Sequence, residues 1–419
     1  MAKSKVKEPD LDAGGLAAIL LGELAKSTTA GKTITAGDLS QSTWGPDIPH
    51  MAFQYMIGGS TKLPCQRFIS ISGPPKSMKS TLLMEIGSWF MEQGGLYDDI
   101  DNETKTSGTM FDAMTSWRAE ALSRGRHHLT HTESIEEWQR HISMIVKALK
   151  ALPIAPPGKR IPVLIGLDSL TGKGLEMSHE KLVEEGAAAP RSYDGAAAAN
   201  SVNQFIQNLS LRGTTVVMGM IRHLTETMGD QQGGPQKKES GAKRVGYQNS
   251  INLRVQKVET ISAASHPRAF VDGPMVEGYT IRISPEASCI GPTIERFIDV
   301  DVIWQYVPQP DGQPPRQCMA YDWDGALGRL LWRQKYDAKF KAFEFEQNQL
   351  SEIVHFTCPK AKTIKCDALG LEAASFREFG QALKANPEIY RKLQGYFGIK
   401  DYPSVQDAEI EPDPGIGEK

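Results

Sequence analysis

The chain has 419 residues, enough for one large core with smaller flanks, because a single hydrophobic core rarely grows past about 250–300 residues. With 47 Lys+Arg against 50 Asp+Glu the formal net charge is −3, so any nucleic-acid contact must come from local basic patches rather than from a global field. The five cysteines (Cys65, Cys289, Cys318, Cys358, Cys366) form no C-x-x-C pair, which argues against a disulfide frame or a zinc site and for a reducing, cytoplasmic location. No stretch approaches the roughly 18 apolar residues of a membrane span, and no apolar run follows the charged start Met-Ala-Lys-Ser-Lys-Val-Lys-Glu, so an export signal is not expected.

In chain order, residues 11–25 carry Leu, Ala and Ile at helical spacing and predict a short helix, followed by a brief strand over 32–36. Such a flank, residues 1–45, packs either on the chain's own core or on a neighbouring subunit. From residue 46 the pattern alternates: a helix near 48–57, a strand over 67–72, a helix over 79–93 and a strand over 96–100. Helices near 109–124 and 134–152 follow, the second opened by Ser134 with Glu137 three residues on, a capping box. The apolar run 161–167 ends in Asp168-Ser169. This alternation predicts an α/β core with a mostly parallel sheet and right-handed crossovers.

Residues 171–200 are rich in Ala, Gly and Glu with little periodicity, and a helix near 197–210 and a strand over 214–221 come next. Residues 224–249 hold Gly, Gln and Lys with almost no large apolar side chain, the composition of a functional loop or a disordered segment. Strands near 251–258, 278–284 and 294–303 complete a core reaching residue 305, a helical region is expected over 306–405, and the acidic residues 406–419 read as a disordered tail.

The chemistry concentrates at residues 69–81, where a β-rich run breaks at Gly73-Pro74-Pro75-Lys76-Ser77-Met78 and resumes as a helix at Lys79-Ser80-Thr81. A strand-to-helix turn leaves backbone N–H groups aimed at one spot, which suits a phosphate chain. Lys79 would reach the β/γ-phosphates of a nucleotide and Ser80 would ligate Mg²⁺. The pattern G-x-x-x-x-G-K-[ST] places glycine before the lysine, whereas this chain has Met78; if that position needs φ > 0, methionine costs roughly 1–2 kcal/mol there. Asp168, at the end of the next apolar strand, is the second candidate for the Mg²⁺ shell, and strand 96–100 delivers Asp101-Asn102-Glu103, with Glu103 as candidate base for the attacking water. His223 closes a third strand where the 224–249 loop begins, a position from which one side chain can couple the γ-phosphate to loop order.

Several of these segments resemble the RecA family of recombinases. Gly58-Gly59, Leu63-Pro64 and Arg67 leading into Gly73-Pro74 are similar to that family's approach to its phosphate loop, Ile100-Asp101-Asn102-Glu103 to its glutamate segment, and Leu167-Asp168-Ser169 to its Walker B strand. The bulky residue in Lys76-Ser77-Met78-Lys79-Ser80, and His223 followed by Glu226-Thr227, resemble the UvsX-type branch from bacteriophages. The similarity spans roughly residues 45–305. It implies ATP held by Gly73, Pro74, Pro75, Lys76, Ser77, Met78, Lys79, Ser80 and Thr81, with Met110 or Phe111 on the adenine, Mg²⁺ held by Ser80 and Asp168, and catalysis by Glu103, Lys79 and His223. Segments 171–200 and 224–249 become the DNA-binding loops, through Lys173, Lys181 and Arg191 in the first and Lys237, Lys238, Lys243 and Arg244 in the second. Family members complete the ATP site with lysines of the adjacent subunit; near Arg282–Glu286 no lysine stands, so either Arg282 substitutes or that contribution differs. The implied partners are single- and double-stranded DNA, further copies of the chain in a helical filament, and single-strand-binding and loader proteins; if the chain is phage-encoded, the compartment is the host cytoplasm. A ring helicase and a nucleotide-binding scaffold without useful turnover use the same core.

Overall fold

The computed structural model describes residues 44–65, 67–101, 126–132, 134–151, 161–169, 214–227, 236–239, 251–261, 275–291, 296–307, 316–336, 350, 353–354, 356–357 and 364–400. All lie in the second of two compact units, Thr43–Lys419. The expected N-terminal helix and strand, the helices near 109–124 and 197–210, the segment 171–200 and the acidic tail fall outside the described residues.

The alternation read from sequence is present. Strand β1 (Trp44–Asp47) and helix α1 (Met51–Met56) are followed by β2 (Lys62–Pro64), β3 (Arg67–Gly73), α2 (Lys79–Glu92) and β4 (Leu96–Asp101). Next come β5 (His127–His131), α3 (Ile135–Ala151), β6 (Ile161–Asp168), β7 (Thr214–Thr227), β8 (Gln236–Glu239), β9 (Ile251–Ile261), β10 (Met275–Ser288), β11 (Ile298–Val307), β12 (Arg316–Asp322) and α4 (Trp323–Tyr336). The large sheet is ordered β12-β11-β10-β9-β3-β7-β6-β4-β5, with β8 hydrogen-bonded to β7. Every neighbouring pair from β9 to β5 is parallel, and β10 to β12 extend the sheet antiparallel.

Strands β3 and β6 are buried at every position but the first, as a sheet covered on both faces requires. On one face Leu83, Ile86 and Phe90 of α2 join Ile69, Ile71, Leu164, Val217 and Ile221; on the other, Trp138 and Ile142 of α3 join Ile100, Val163, Ile165, Leu167, Met218 and Met220. The period of two along each strand sorts these residues. Gly166 and Gly219 are register neighbours on β6 and β7, and a Cβ at Gly219 would lie 2.3 Å from Leu83 Cδ1, so the pair forms the groove into which α2 settles. No helix among the described residues is long and apolar enough to cross a membrane.

Three features depart from the expectation. Strand β5 lies between the two predicted helices; its sequence His-His-Leu-Thr-His offers no apolar alternation, and it is a parallel edge strand next to β4. The segment 224–249 is not wholly a loop, because β7 runs on to Thr227 and pairs with β8 in a hairpin. The 306–405 region is not purely helical: it begins in the large sheet with β12, then adds the small sheet β13 (Phe356–Thr357), β14 (Ile364–Cys366) and β15 (Leu371–Ala373) before α5 (Phe376–Lys384) and α6 (Pro387–Tyr396). Phe379, Leu383, Leu393 and Phe397 of this part share one apolar cluster with α2. The predicted cap of α3 is present, with Glu137 N donating to Ser134 Oγ at 3.1 Å.

Helix α2 is buried nearly all round, because α1 and α4 cover its outer side through Phe53, Trp89 and Trp323. There Trp323 Nε1 donates to Glu85 Oε1 at 2.8 Å. Burial pushes the Glu85 carboxyl up from its ordinary 4.5 to about 7, against the opposing pull of that hydrogen bond. An acid whose pKa is higher folded than unfolded lends stability fully below about pH 4.5 and loses it as pH rises through about 7. At 1.36 kcal/mol per unit the loss is on the order of 3 kcal/mol, reduced to about 2 kcal/mol by partial exposure. Glu85→Gln keeps an acceptor for Trp323 and removes the titration. We expect the stability difference between urea melts at pH 5 and pH 8 to shrink by about 2 kcal/mol in this variant, through a gain at pH 8; an unchanged wild-type pH slope would remove Glu85 as a source.

Candidate functional site

Strand β3 ends at Gly73, where a Cβ would lie 2.3 Å from the Val255 carbonyl oxygen and 2.7 Å from Ser77 Oγ, so only glycine admits the turn. The chain then passes through two left-handed residues, Lys76 at φ 60° and Met78 at φ 70°. Met78 thus adopts the conformation that the glycine of the usual motif supplies. The expected penalty of roughly 1–2 kcal/mol is offset in part by its side chain, which packs against the main apolar cluster. Met78 is also the N-cap of α2 and offers no side-chain hydrogen bond, leaving the helix's first N–H groups uncapped by a side chain at the mouth of the loop.

The side chains of the loop converge. Lys79, 5% exposed, donates from Nζ to the Pro74 carbonyl at 2.8 Å, folding its ammonium back across the loop. Ser80 Oγ donates to Asp168 Oδ2 at 2.5 Å, joining the start of α2 to the end of β6. Thr81 Oγ1 donates to the Met78 carbonyl at 2.7 Å and accepts from Tyr321 of β12, also at 2.7 Å, so the antiparallel extension braces the loop. The Ser77 hydroxyl is buried and finds no hydrogen-bond partner among the described residues, an orphaned donor in the cradle of the loop.

Sequence reasoning gave no role to the carboxylates beside this point. Asp101 is the register neighbour of Asp168, and Asp99 lies on the same face of β4 two residues earlier; all three are buried. Burial first, then the charges of Asp168 and Asp101, push the Asp99 carboxyl well above the usual carboxylate range. The signal was the alternation Tyr97-Asp99-Asp101 along an otherwise buried strand. Such a stack is stabilised by a cation, and a hydroxyl with clustered carboxylates is the hard-oxygen donor set that suits Mg²⁺.

Of the predicted site, Gly73 closes β3, Pro74, Pro75, Lys76, Ser77 and Met78 form the connecting loop, and Lys79, Ser80 and Thr81 open α2, where Ser80 meets Asp168. His223 is the register partner of Gly73 on the adjoining β7. Lys237 and Lys238 stand on β8 opposite Glu226 and Thr225. Glu103, Met110, Phe111, Lys173, Lys181, Arg191, Lys243 and Arg244 fall outside the described residues. Arg282 is engaged within its own chain, donating from Nε and Nη2 to Asp299 at 2.8 and 3.0 Å and lying over the Phe297 ring. Burial opposes ionisation of Asp299, but the hydrogen bonds from Arg282 and Arg333 prevail and hold its carboxyl below the usual range. No protein-family model matches the chain, and no curated protein matches it as a relative.

Proposed function

We propose that this chain is an ATP-dependent DNA recombinase with a RecA-like core, which polymerises as a filament on single-stranded DNA and promotes homologous pairing and strand exchange. The observation that carries the reading is the junction of α2 and β6: Lys79, Ser80 and Asp168 meet at the open ends of parallel strands, behind a loop whose Met78 holds the left-handed turn. ATP is the substrate. Lys79 would leave the Pro74 carbonyl for the β/γ-phosphates, and the first N–H groups of α2 with the Ser77 hydroxyl would take the remaining phosphate oxygens. Ser80 and Asp168 would hold Mg²⁺, which neutralises charge on the phosphates as the terminal bond breaks. Glu103 would position and deprotonate the attacking water.

The reading for DNA is supported by chain connectivity. His223 stands beside Gly73 on β7, and the same strand runs directly into the hairpin that carries Lys237 and Lys238. A shift at the γ-phosphate can therefore pass along one strand to a basic hairpin, coupling nucleotide state to grip on DNA. Single- and double-stranded DNA, further protomers, and single-strand-binding and loader proteins are the partners of such a cycle.

The test measures hydrolysis with and without single-stranded DNA, alongside electron micrographs and a strand-exchange assay. DNA-stimulated hydrolysis, filaments and joint molecules are expected; hydrolysis indifferent to DNA would contradict the proposal. Neutralising Lys237, Lys238, Lys243 and Arg244 together should lower the slope of log affinity against log salt by up to about 3, at 0.7 per single-strand phosphate contact. Basal hydrolysis should survive. An unchanged slope would detach these residues from DNA.

A further inference from the structure

On the face of the sheet opposite the phosphate loop, β4, β5 and α3 bring together Asp98, His128 and His141. Their ligand atoms all lie within 4.8 Å of one another. Asp98 and His128 are register neighbours on parallel strands, and His141 reaches them from α3, one turn after Trp138 anchors that helix to the sheet. His128 Nδ1 is 2.7 Å from Asp98 Oδ1; His141 Nε2 is 3.2 Å from Oδ1 and 3.1 Å from Oδ2 of the same carboxylate. The Thr130 hydroxyl completes the group, 3.2 Å from His128 Nδ1 and 3.3 Å from His141 Nε2. Asp98 and the His141 side chain are mostly buried, whereas the His128 side chain is 67% exposed.

Hydrogen bonding alone leaves this arrangement incomplete. An imidazole nitrogen carries one proton or one lone pair, yet each of these two nitrogens stands at hydrogen-bonding distance from both a carboxylate oxygen and the Thr130 hydroxyl. A single N–H could reach both only as a bent, shared hydrogen bond, weaker than a linear one. A cation among Asp98, His128 and His141 would meet all three at once, with the Thr130 hydroxyl beside its open position. For bonds of about 2.0–2.1 Å to nitrogen and oxygen in a tetrahedron, neighbouring ligand atoms stand about 3.3 Å apart, close to the 3.1 and 3.2 Å from His141 Nε2 to the Asp98 oxygens, while the 2.7 Å between His128 Nδ1 and Asp98 Oδ1 would open around an ion. The His128 and His141 rings are stacked, 5.6 Å between centroids and 16° from parallel, so their nitrogen edges approach from the same side.

We propose that Asp98, His128 and His141 form a transition-metal site, with zinc as the occupant, that staples the edge strand β5 and helix α3 to β4. Two imidazoles and a carboxylate favour Zn²⁺ over the hard cations Mg²⁺ and Ca²⁺. Three protein ligands leave a fourth position for water, held by Thr130. Cysteine spacing could not reveal the site, because no ligand is a cysteine and the first two residues lie 30 apart in sequence. The site lies across the sheet from the phosphate loop and does not depend on the nucleotide reading.

The test uses the full chain stripped of metal with a chelator and titrated with Co²⁺, whose visible absorption reports tetrahedral coordination, followed by displacement with Zn²⁺. One equivalent is expected in the wild type. His128→Ala alters an exposed side chain and should fold; it should weaken Co²⁺ by about 100-fold, while Asp168→Asn keeps the full signal, which separates this site from the nucleotide site. Zinc at 100 times Kd should raise Tm by roughly 3 °C in the wild type and not in His128→Ala. A Co²⁺ spectrum unchanged by His128→Ala, or no spectrum with the metal in large excess, would overturn the proposal.

Discussion

Lys79→Ala is expected to reduce ATP hydrolysis by at least about 100-fold, the loss typical when one preorganised donor to a developing charge is removed. The ammonium is buried and fixed to the Pro74 carbonyl, which places it across the loop before any phosphate arrives. Its loss therefore removes charge at the phosphates without removing a strut of the core. The variant should retain a cooperative melt close to wild type. A steady-state assay at saturating Mg²⁺ checks the first part and thermal melting the second; hydrolysis within a few fold of wild type would show that the nucleotide is handled elsewhere.

Asp301→Ala is expected to cost stability on the order of 3–5 kcal/mol, since it strands a buried guanidinium. Asp301 is 1% exposed on β11 and accepts from Thr280 Oγ1 at 2.7 Å and from Arg329 Nη1 at 2.7 Å, with Arg329 Nη2 on its other oxygen. Burial lowers the readiness of Arg329 to stay charged, but the hydrogen bonds from its guanidinium to Asp301 outweigh that and raise its pKa. Without Asp301 the largest part of that compensation is lost, and only the more distant charges of Asp322 and Asp299 remain. For a unit of this size the melting temperature should fall by about 5 °C. A double variant, Asp301→Ala with Arg329→Met, should recover much of the loss, because the cost lies in the unpaired charge. A change below about 1 kcal/mol in the single variant would contradict this reading of the pair. The effect should reach the start of α2 as well, because β12 pairs with β11 and carries Tyr321, which holds Thr81.

The sequence made some of this plain and hid the rest for physical reasons. Strands β3 and β6 were legible because both faces are covered, which writes a continuous apolar run. The loop between β3 and α2 was legible because its conformation depends on a short stretch, and even the left-handed turn at Met78 follows from the place of that residue in the motif. Strand β5 was not legible: three of its five residues are histidines, and its position is set by hydrogen bonds to β4 rather than by its own burial. The hairpin β7–β8 was hidden for the same reason, since Gln236-Lys-Lys-Glu239 has no apolar side to bury. Asp99 and Asp101 were visible in sequence but silent, because only the register between β4 and β6 brings them beside Asp168. Whether Arg282 stands in for a lysine of a neighbouring protomer was left open by the sequence, and its long-range contact with Asp299 could not be read there.

Localising a bound nucleotide is the most direct check. A structure determined with Mg²⁺ and a non-hydrolysable ATP analogue should place the terminal phosphates within hydrogen-bonding reach of Lys79 Nζ and the first N–H groups of α2. The metal should lie on Ser80 Oγ beside Asp168. A triphosphate bound anywhere else, or a metal away from Ser80 and Asp168, would contradict the proposed chemistry.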